Sequence, residues 1–310
     1  MPSSPLTSLR ERLPYATLTY DDGKDPARAA AVAHDADLVL VFAEQFSAEG
    51  KDLPSLSLPD GQDALIDAIA SANPHTVVIL ETCGPVTMPW LDKVSAVLAA
   101  WYPGQRGGLA IARILTGEVN PSGRLPITFP KNIEQTPNPQ LPGSTPAQDD
   151  NTKKPATSTF DQKFDVTYPE GADVGYRWYD RTRATPLFAF GHGLSYTQFA
   201  YKKLAIKDGP NLSVTFQISN VGKVAGAEIA QVYVLVNGVR HLVGWSRVEL
   251  QAGESKTVTV TADPRFLAKF DVKTDKWQIA AGTYPVEVSA AVNEPRLNGK
   301  AHLKASTIIP

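Results

Sequence analysis

Leu38 to Ala43 (LVLVFA) is an unbroken apolar run, the pattern of a strand buried on both faces. Thr76 to Leu80 (TVVIL) repeats it in β-branched residues, and Ala16 to Tyr20, Val94 to Ala100 and Leu125 to Phe129 read as further strands. Helical patterns lie between them. Asp25-Pro26 supplies an N-cap acid and a proline at the first helical position for Ala27 to Ala36. Asp60 caps Ala64 to Ala72, where Leu65, Ile66 and Ile69 form an apolar stripe and Asn73-Pro74 ends the helix. Gly107 to Thr116 is a further amphipathic helix. This alternation predicts an α/β domain over residues 1–130, with a doubly wound, mainly parallel sheet flanked by helices.

The pattern changes at Lys131. Residues 131–163 are proline-rich with almost no aliphatic side chains, which predicts a linker or long surface loop. Residues 164–199 are dense in glycine and aromatics, among them Tyr176, Trp178, Tyr179, Phe188, Phe190 and Tyr196, without clean periodicity. They read as an extended connecting segment packed between two domains. From there the period is two. Leu212 to Ser219, Glu228 to Val236, Ser255 to Thr261 and Gly282 to Ala290 alternate or run β-branched, with turn signals at Asn220-Val-Gly222 and Gln251-Ala-Gly-Glu254. Residues 200–310 therefore predict an all-β sandwich of immunoglobulin or fibronectin III type.

At 310 residues, length agrees with about two domains. Lys plus Arg number 30 and Asp plus Glu 32, so charge points neither to nucleic acid nor to an anionic membrane surface. No apolar run is long enough to span a bilayer, and the N-terminus has no secretory h-region. The single cysteine, Cys83, excludes an internal disulfide and reads as a small buried residue beside a strand end. The five histidines are scattered without ligand spacing, so neither a metal site nor a cofactor is expected.

Candidate chemistry sits in the loop after Ala43. Ligands of open α/β sheets bind outside the carboxyl ends of the strands. This loop leaves such an end with Glu44, Glu49 and Asp52 in nine residues. The plain alternative is a solvated acidic loop. Gly104, Gly107 and Gly108 invite a phosphate-loop reading, but no Lys-Ser/Thr follows them, so close helix–strand packing is the better account. The same omission disfavours a flavodoxin-like nucleotide-binding domain.

Four stretches together resemble the C-terminal half of glycoside hydrolase family 3, the β-glucosidase family. They are Ala48-Glu-Gly-Lys-Asp52 with Leu56-Ser-Leu-Pro59 and Gln62; Trp101-Tyr-Pro-Gly-Gln-Arg-Gly-Gly108 with Asn120-Pro-Ser-Gly-Arg-Leu-Pro126; Tyr168-Pro-Glu-Gly171 with Val174-Gly-Tyr-Arg-Trp-Tyr179 and Phe190-Gly-His-Gly-Leu-Ser-Tyr196; and Asn220-Val-Gly222 through Gln231-Val-Tyr233 to Ala252-Gly-Glu-Ser255. The last resembles that family's terminal fibronectin III-like domain. The resemblance implies a retaining enzyme acting on terminal β-glycosidic bonds, with Glu49 as acid/base and a β-linked oligosaccharide or glycoside as substrate. It implies that the nucleophilic Asp lies on a (β/α)8 barrel, in the same polypeptide or a separate chain. No room exists before Asp37 for a barrel of roughly 250 residues, so this chain reads as the trailing portion of such an enzyme. The complete enzyme is expected to be periplasmic or secreted.

Asp52 matches an acidic substrate-contact position in that pattern, Lys51 could partly replace the arginine that follows it in the family, and Leu53 stands where that arginine would be. Glu44 is the rival acid, but a Glu44–Glu49 pair would approach the sugar from one side, whereas the two catalytic roles need opposed geometry. Arg177 and Trp178 fit either a sugar subsite or core packing. The rival to the enzyme reading is a noncatalytic carbohydrate- or partner-binding module.

Overall fold

The computed structural model describes residues 3–49, 53, 55–140, 167–209 and 211–310. Contacts divide the chain into two compact units, Met1–Glu118 with Phe129–Pro169, and Val119–Thr128 with Glu170–Pro310. Most of the proline-rich stretch, residues 141–163, lies outside the described residues.

In the first unit, helix α1 (Pro5–Arg12) is followed by α2 (Pro26–His34), β1 (Val39–Glu44), α3 (Gln62–Ala72), β2 (Thr76–Glu81), β3 (Ala96–Ala99) and α4 (Gly107–Leu115). The Asp25 carboxylate accepts from the N–H groups of Ala27 and Arg28 at 3.0 and 3.2 Å, and Pro26 opens α2, as the sequence pattern requires. The start of α3 differs from expectation. Its N-cap is Gly61, not Asp60, and both adopt left-handed backbone conformations (φ 71° and 56°). The helix is tied down instead by Asp63 in its first turn, which accepts from Leu58 N–H at 3.2 Å and from Trp90 Nε1 at 2.7 Å.

The three strands form a parallel sheet in the order β1-β2-β3, with Val39 opposite Thr76, Glu44 opposite Glu81, and Val77 opposite Ala96. Its core is Ile66, Val78, Ile79, Leu80, Val86 and Trp90, all fully buried. Two expected strands are not strands. Ala16 to Tyr20 has no ladder, because β1 pairs only with β2 among the described residues and no edge receives it. Leu125 makes its backbone bonds inside the second unit, with Gly191 and His192 (2.8 and 2.9 Å), rather than joining the parallel sheet. The glycines opening α4 serve close packing, but Gly107 packs against the Pro103 ring and Gly108 against the N-terminal backbone, neither against a strand. A Cβ on Gly108 would lie 2.3 Å from the Ser3 carbonyl oxygen and 2.5 Å from Pro5 N.

The second unit begins with helix α5 (Tyr176–Thr182), entered at Gly175 (φ 58°) and ended at Arg183 (φ 56°). This corrects the extended reading of residues 164–199. Among the described residues the strands that follow are β4 (Phe199–Lys207), β5 (Ser213–Asn220), β6 (Gly226–Val236), β7 (Val239–Leu250), β8 (Ser255–Thr261), β9 (Lys269–Asp271), β10 (Lys276–Ile279), β11 (Gly282–Ser289), β12 (Pro295–Leu303) and β13 (Ser306–Ile308). They make antiparallel sheets in the orders β12-β11-β6-β7, β4-β5-β8 and β13-β10-β9. Alternate residues of the two larger sheets, among them Phe216, Ile218, Val232, Val234, Val286 and Val288, meet in one core.

An ion pair of Arg124 and Glu228 lies within this unit's interior. Arg124 donates to Glu228 at 2.8 Å, with side-chain exposures of 8% and 4%, and the Tyr201 hydroxyl donates to the other Glu228 oxygen at 2.7 Å. Burial pushes the Tyr201 phenol well above its ordinary range, with the Glu228 charge acting the same way. Removing one member of a buried pair strands the other charge and costs about 3–5 kcal/mol. Glu228→Ala is therefore expected to lower unfolding stability by that amount in denaturant titrations. A loss below about 1 kcal/mol, the range of exposed pairs, would mean that water reaches Arg124.

Candidate functional site

Because the three strands of the first unit are parallel, their carboxyl ends and the loops that follow share one side of the sheet. Two glutamines organise that side. Gln62, the first residue of α3, donates from Nε2 to the Glu44 carbonyl at 2.8 Å and accepts from Glu44 N–H at 2.9 Å. The same Nε2 reaches Pro59 O at 3.0 Å, so one carboxamide closes the base of the acidic loop. Gln45, 4% exposed, is the second. Its N–H donates to Glu81 O at 3.2 Å, its carbonyl accepts from the Tyr102 hydroxyl at 2.5 Å, and its Oε1 accepts from Cys83 Sγ at 3.3 Å. The loops after all three strands thus converge on one buried residue at the start of the acidic loop.

Tyr102 owes its position to an unusual backbone. Trp101 lies in the left-handed region (φ 56°), which costs a non-glycine residue of order 1 kcal/mol. Edge-on packing of Trp101 against Phe129, at 6.0 Å between centroids, holds it there. Cys83 is exposed, contrary to the buried placement its type suggested.

Glu49 lies four residues beyond Gln45 and is exposed. Phe46, between them, is 75% exposed. Lys51 and Asp52 fall outside the described residues, so their expected substrate contacts have no geometry here. Glu44 is exposed, clamped at its backbone by Gln62, and directly opposite Glu81 on β2. Partial burial, and secondarily the charge of Glu44, raises the Glu81 carboxyl above its ordinary 4.5. Arg177 and Trp178 sit on α5. The Arg177 guanidinium lies 6.0 Å from the Tyr176 ring centre, and Trp178 stacks under Arg181 at 5.1 Å.

Sequence reading missed Gln45, Glu81 and the positioning role of Tyr102. Tyr102 and Gln62 both belong to the stretches that carry the family resemblance, which was the available signal. Gln45 carried none, since a glutamine after a strand reads as solvated until its burial is known.

The first unit is thus a parallel α/β sheet whose strand ends carry an acidic loop, and the second an antiparallel β-sandwich. Comparison with known proteins narrows this. Residues 1–196 match the glycosyl hydrolase family 3 C-terminal domain and residues 228–292 the fibronectin type III-like domain. The chain belongs to glycoside hydrolase family 3. It is 40% identical over 294 residues to beta-glucosidase B of Emericella nidulans, covering 89% of this chain and 34% of that protein. It is 37% identical to a beta-glucosidase of Rhizobium radiobacter, covering 91% of this chain and 35% of that protein. Among solved structures, DesR, a beta-glucosidase from Streptomyces venezuelae in complex with D-glucose, matches at TM-score 0.76 and 40% identity over 91% of this chain and 35% of its own. The family 3 beta-glucosidase of Bifidobacterium adolescentis matches at TM-score 0.83 and 31% identity over 98% of this chain and 46% of its own. The chain thus spans about a third of the length of the curated relatives it matches.

The Glu44–Glu81 pair gives a pH prediction. With its carboxyl raised in the folded state, Glu81 leaves stability intact below the unfolded value near 4.5 and lowers it as pH rises through the folded value. Glu81→Gln removes that loss. Thermal unfolding should show the variant equal to wild type near pH 4 and more stable than wild type at pH 7. A constant difference across that window would show that Glu81 ionises freely in the fold.

Proposed function

We propose that this chain is the C-terminal portion of a retaining β-glucosidase-type enzyme acting on terminal β-glycosidic bonds, and that Glu49 is its acid/base. The nucleophilic Asp is supplied by a barrel domain outside this chain. The observation that carries the reading is the exposed Glu49 on a loop anchored at both ends, by Gln45 at its start and by Gln62 at its base. A general acid must reach the departing oxygen from the face opposite the nucleophile, at roughly 5 Å between the two carboxyl groups. Glu49 protonates the leaving oxygen as the glycosyl–enzyme bond forms, then takes a proton from the water that breaks that bond. Lys51 and Asp52 contact the sugar from the same loop.

The test uses the longer enzyme, or this chain joined to its barrel. Glu49→Ala should slow hydrolysis by roughly 10² to 10⁴-fold for substrates with poor leaving groups, which need the proton most. Substrates with good leaving groups should form the intermediate and stall there, and azide, a nucleophile needing no base, should rescue turnover as a glycosyl azide. Equal losses across leaving groups without azide rescue would remove Glu49 from the mechanism and direct attention to Asp52. The 310-residue chain alone is expected to turn over an aryl β-glucoside little or not at all. Robust turnover lost in Glu44→Gln would instead establish a self-contained pair on one loop.

A further inference from the structure

α5, the start of β7 and the turn between β11 and β12 surround a pocket of about 240 Å³. All of its walls belong to the second unit. Tyr176, Tyr179, Pro186 and Val292 line it with carbon. The Tyr176 ring is fixed there, stacked on Phe190 at 4.8 Å and edge-on to Tyr233 at 5.9 Å. The charged pair in the wall is already satisfied. Asp180 accepts from the Arg240 N–H at 2.7 Å and from its guanidinium at 2.5 Å, and Glu287 accepts from the same guanidinium at 2.7 Å.

Four other polar groups of the pocket are not satisfied. The exposed Arg183 guanidinium, the exposed Asn293 carboxamide and the Tyr179 hydroxyl meet no partner among the described residues. Burial raises the Tyr179 phenol above its ordinary value, so it stays neutral, able to donate and to accept. Thr128 is 5% exposed, and its hydroxyl is buried without a partner. Buried polar side-chain atoms nearly always have one, which points to a ligand group in that place. Rotation about χ1 exchanges the threonine oxygen with its methyl, so the hydroxyl can turn to whatever enters.

We propose that this pocket is a noncatalytic binding site for a single neutral pyranose. Pockets for drug-sized ligands run to about 300–1,000 Å³, and this one is smaller, suited to one sugar ring. A pyranose has apolar C–H faces and a rim of hydroxyls. The pocket offers the complement, with carbon walls and unpaired donors and acceptors around them. Charge selects neutrality: Arg183 and Arg240 are balanced by Asp180 and by Glu287 behind it, so an anion or a cation gains no net attraction. The Tyr179 ring covers a C–H face, Arg183 and Asn293 bind hydroxyls at the mouth, and Thr128 donates to a hydroxyl within. The left-handed backbone of Arg183 (φ 56°) ends α5 and aims the chain across the pocket. The site does not rest on the role of Glu49, which lies in the first unit.

Residue-resolved NMR titration of the 310-residue chain with D-glucose, D-galactose and D-xylose tests this. At least one should shift Tyr179, Arg183 and Asn293 saturably, with Kd of order 10⁻³ M for so small a ligand. Arg183→Asn keeps a residue that tolerates the left-handed backbone and should raise that Kd about 10-fold or more, the loss of a hydrogen bond to a charged group. Thr128→Val, which keeps the shape and removes the hydroxyl, should raise it about 5-fold. Cellobiose should bind no more tightly than the best single sugar. Glu49→Ala should bind it unchanged, and shifts that vanish in that variant would assign the sugar to the acidic loop and overturn the proposal. No shift with any of the three sugars overturns it, as does equal affinity in wild type, Arg183→Asn and Thr128→Val. Shifts produced by glycine and not by a sugar would give the pocket to a zwitterion instead.

Discussion

The parallel direction of the three strands is the constraint on which the first unit depends. Parallel neighbours end on the same side, so the chain must cross back to the far end of the sheet each time, through α3 between β1 and β2, and the loops after the strands emerge together. The acidic loop, the Cys83 loop and the Trp101–Gly104 loop are therefore neighbours without being close in sequence. What converts neighbours into a site is Gln45. It is buried, and its N–H, carbonyl and Oε1 are each met by a different strand end or loop. Anchoring of this kind orders the start of the acidic loop in the free protein.

The second unit rests on different physics. Its sheets are antiparallel and its core is aliphatic, yet Arg124, Glu228 and Tyr201 meet inside it. Asn220, 1% exposed, is equally specific: its amide donates to the carbonyls of Val224 and Leu250, and its Oδ1 accepts from Thr197 and Gly222. Such groups fix which strands and turns meet, since any other arrangement would leave their polar atoms unsatisfied.

Much of this was legible in the sequence because the physics was local. The β1 run, the Asp25-Pro26 start of α2, the Asn220 and Gln251 turns and the alternation of β5, β6, β8 and β11 all follow from neighbouring residues. Failures occurred where the deciding partner was distant. Ala16–Tyr20 has strand composition but no ladder among the described residues, and Leu125 pairs with Gly191 and His192 instead of the sheet. α5 was hidden because its aromatic residues lack an apolar stripe and its ends are set by left-handed backbone at Gly175 and Arg183. Of the candidate site, the acidic loop was visible as composition. The glutamines that anchor it were not, because a carboxamide reveals its role only through what it touches.

The Arg124–Glu228 pair bears on how this protein can change over time. Losing either partner alone strands a buried charge, whereas replacing both by apolar residues of similar volume is often neutral or stabilising. Each position is thus permissive only in the company of the other. The route from the charged to the apolar interior passes through an intermediate less stable than either end, and with domain stabilities of only about 5–15 kcal/mol that intermediate leaves little margin. Arginine and glutamate at these two positions should therefore be inherited as a unit: a lineage holding one should hold both, and a lineage lacking one should lack both.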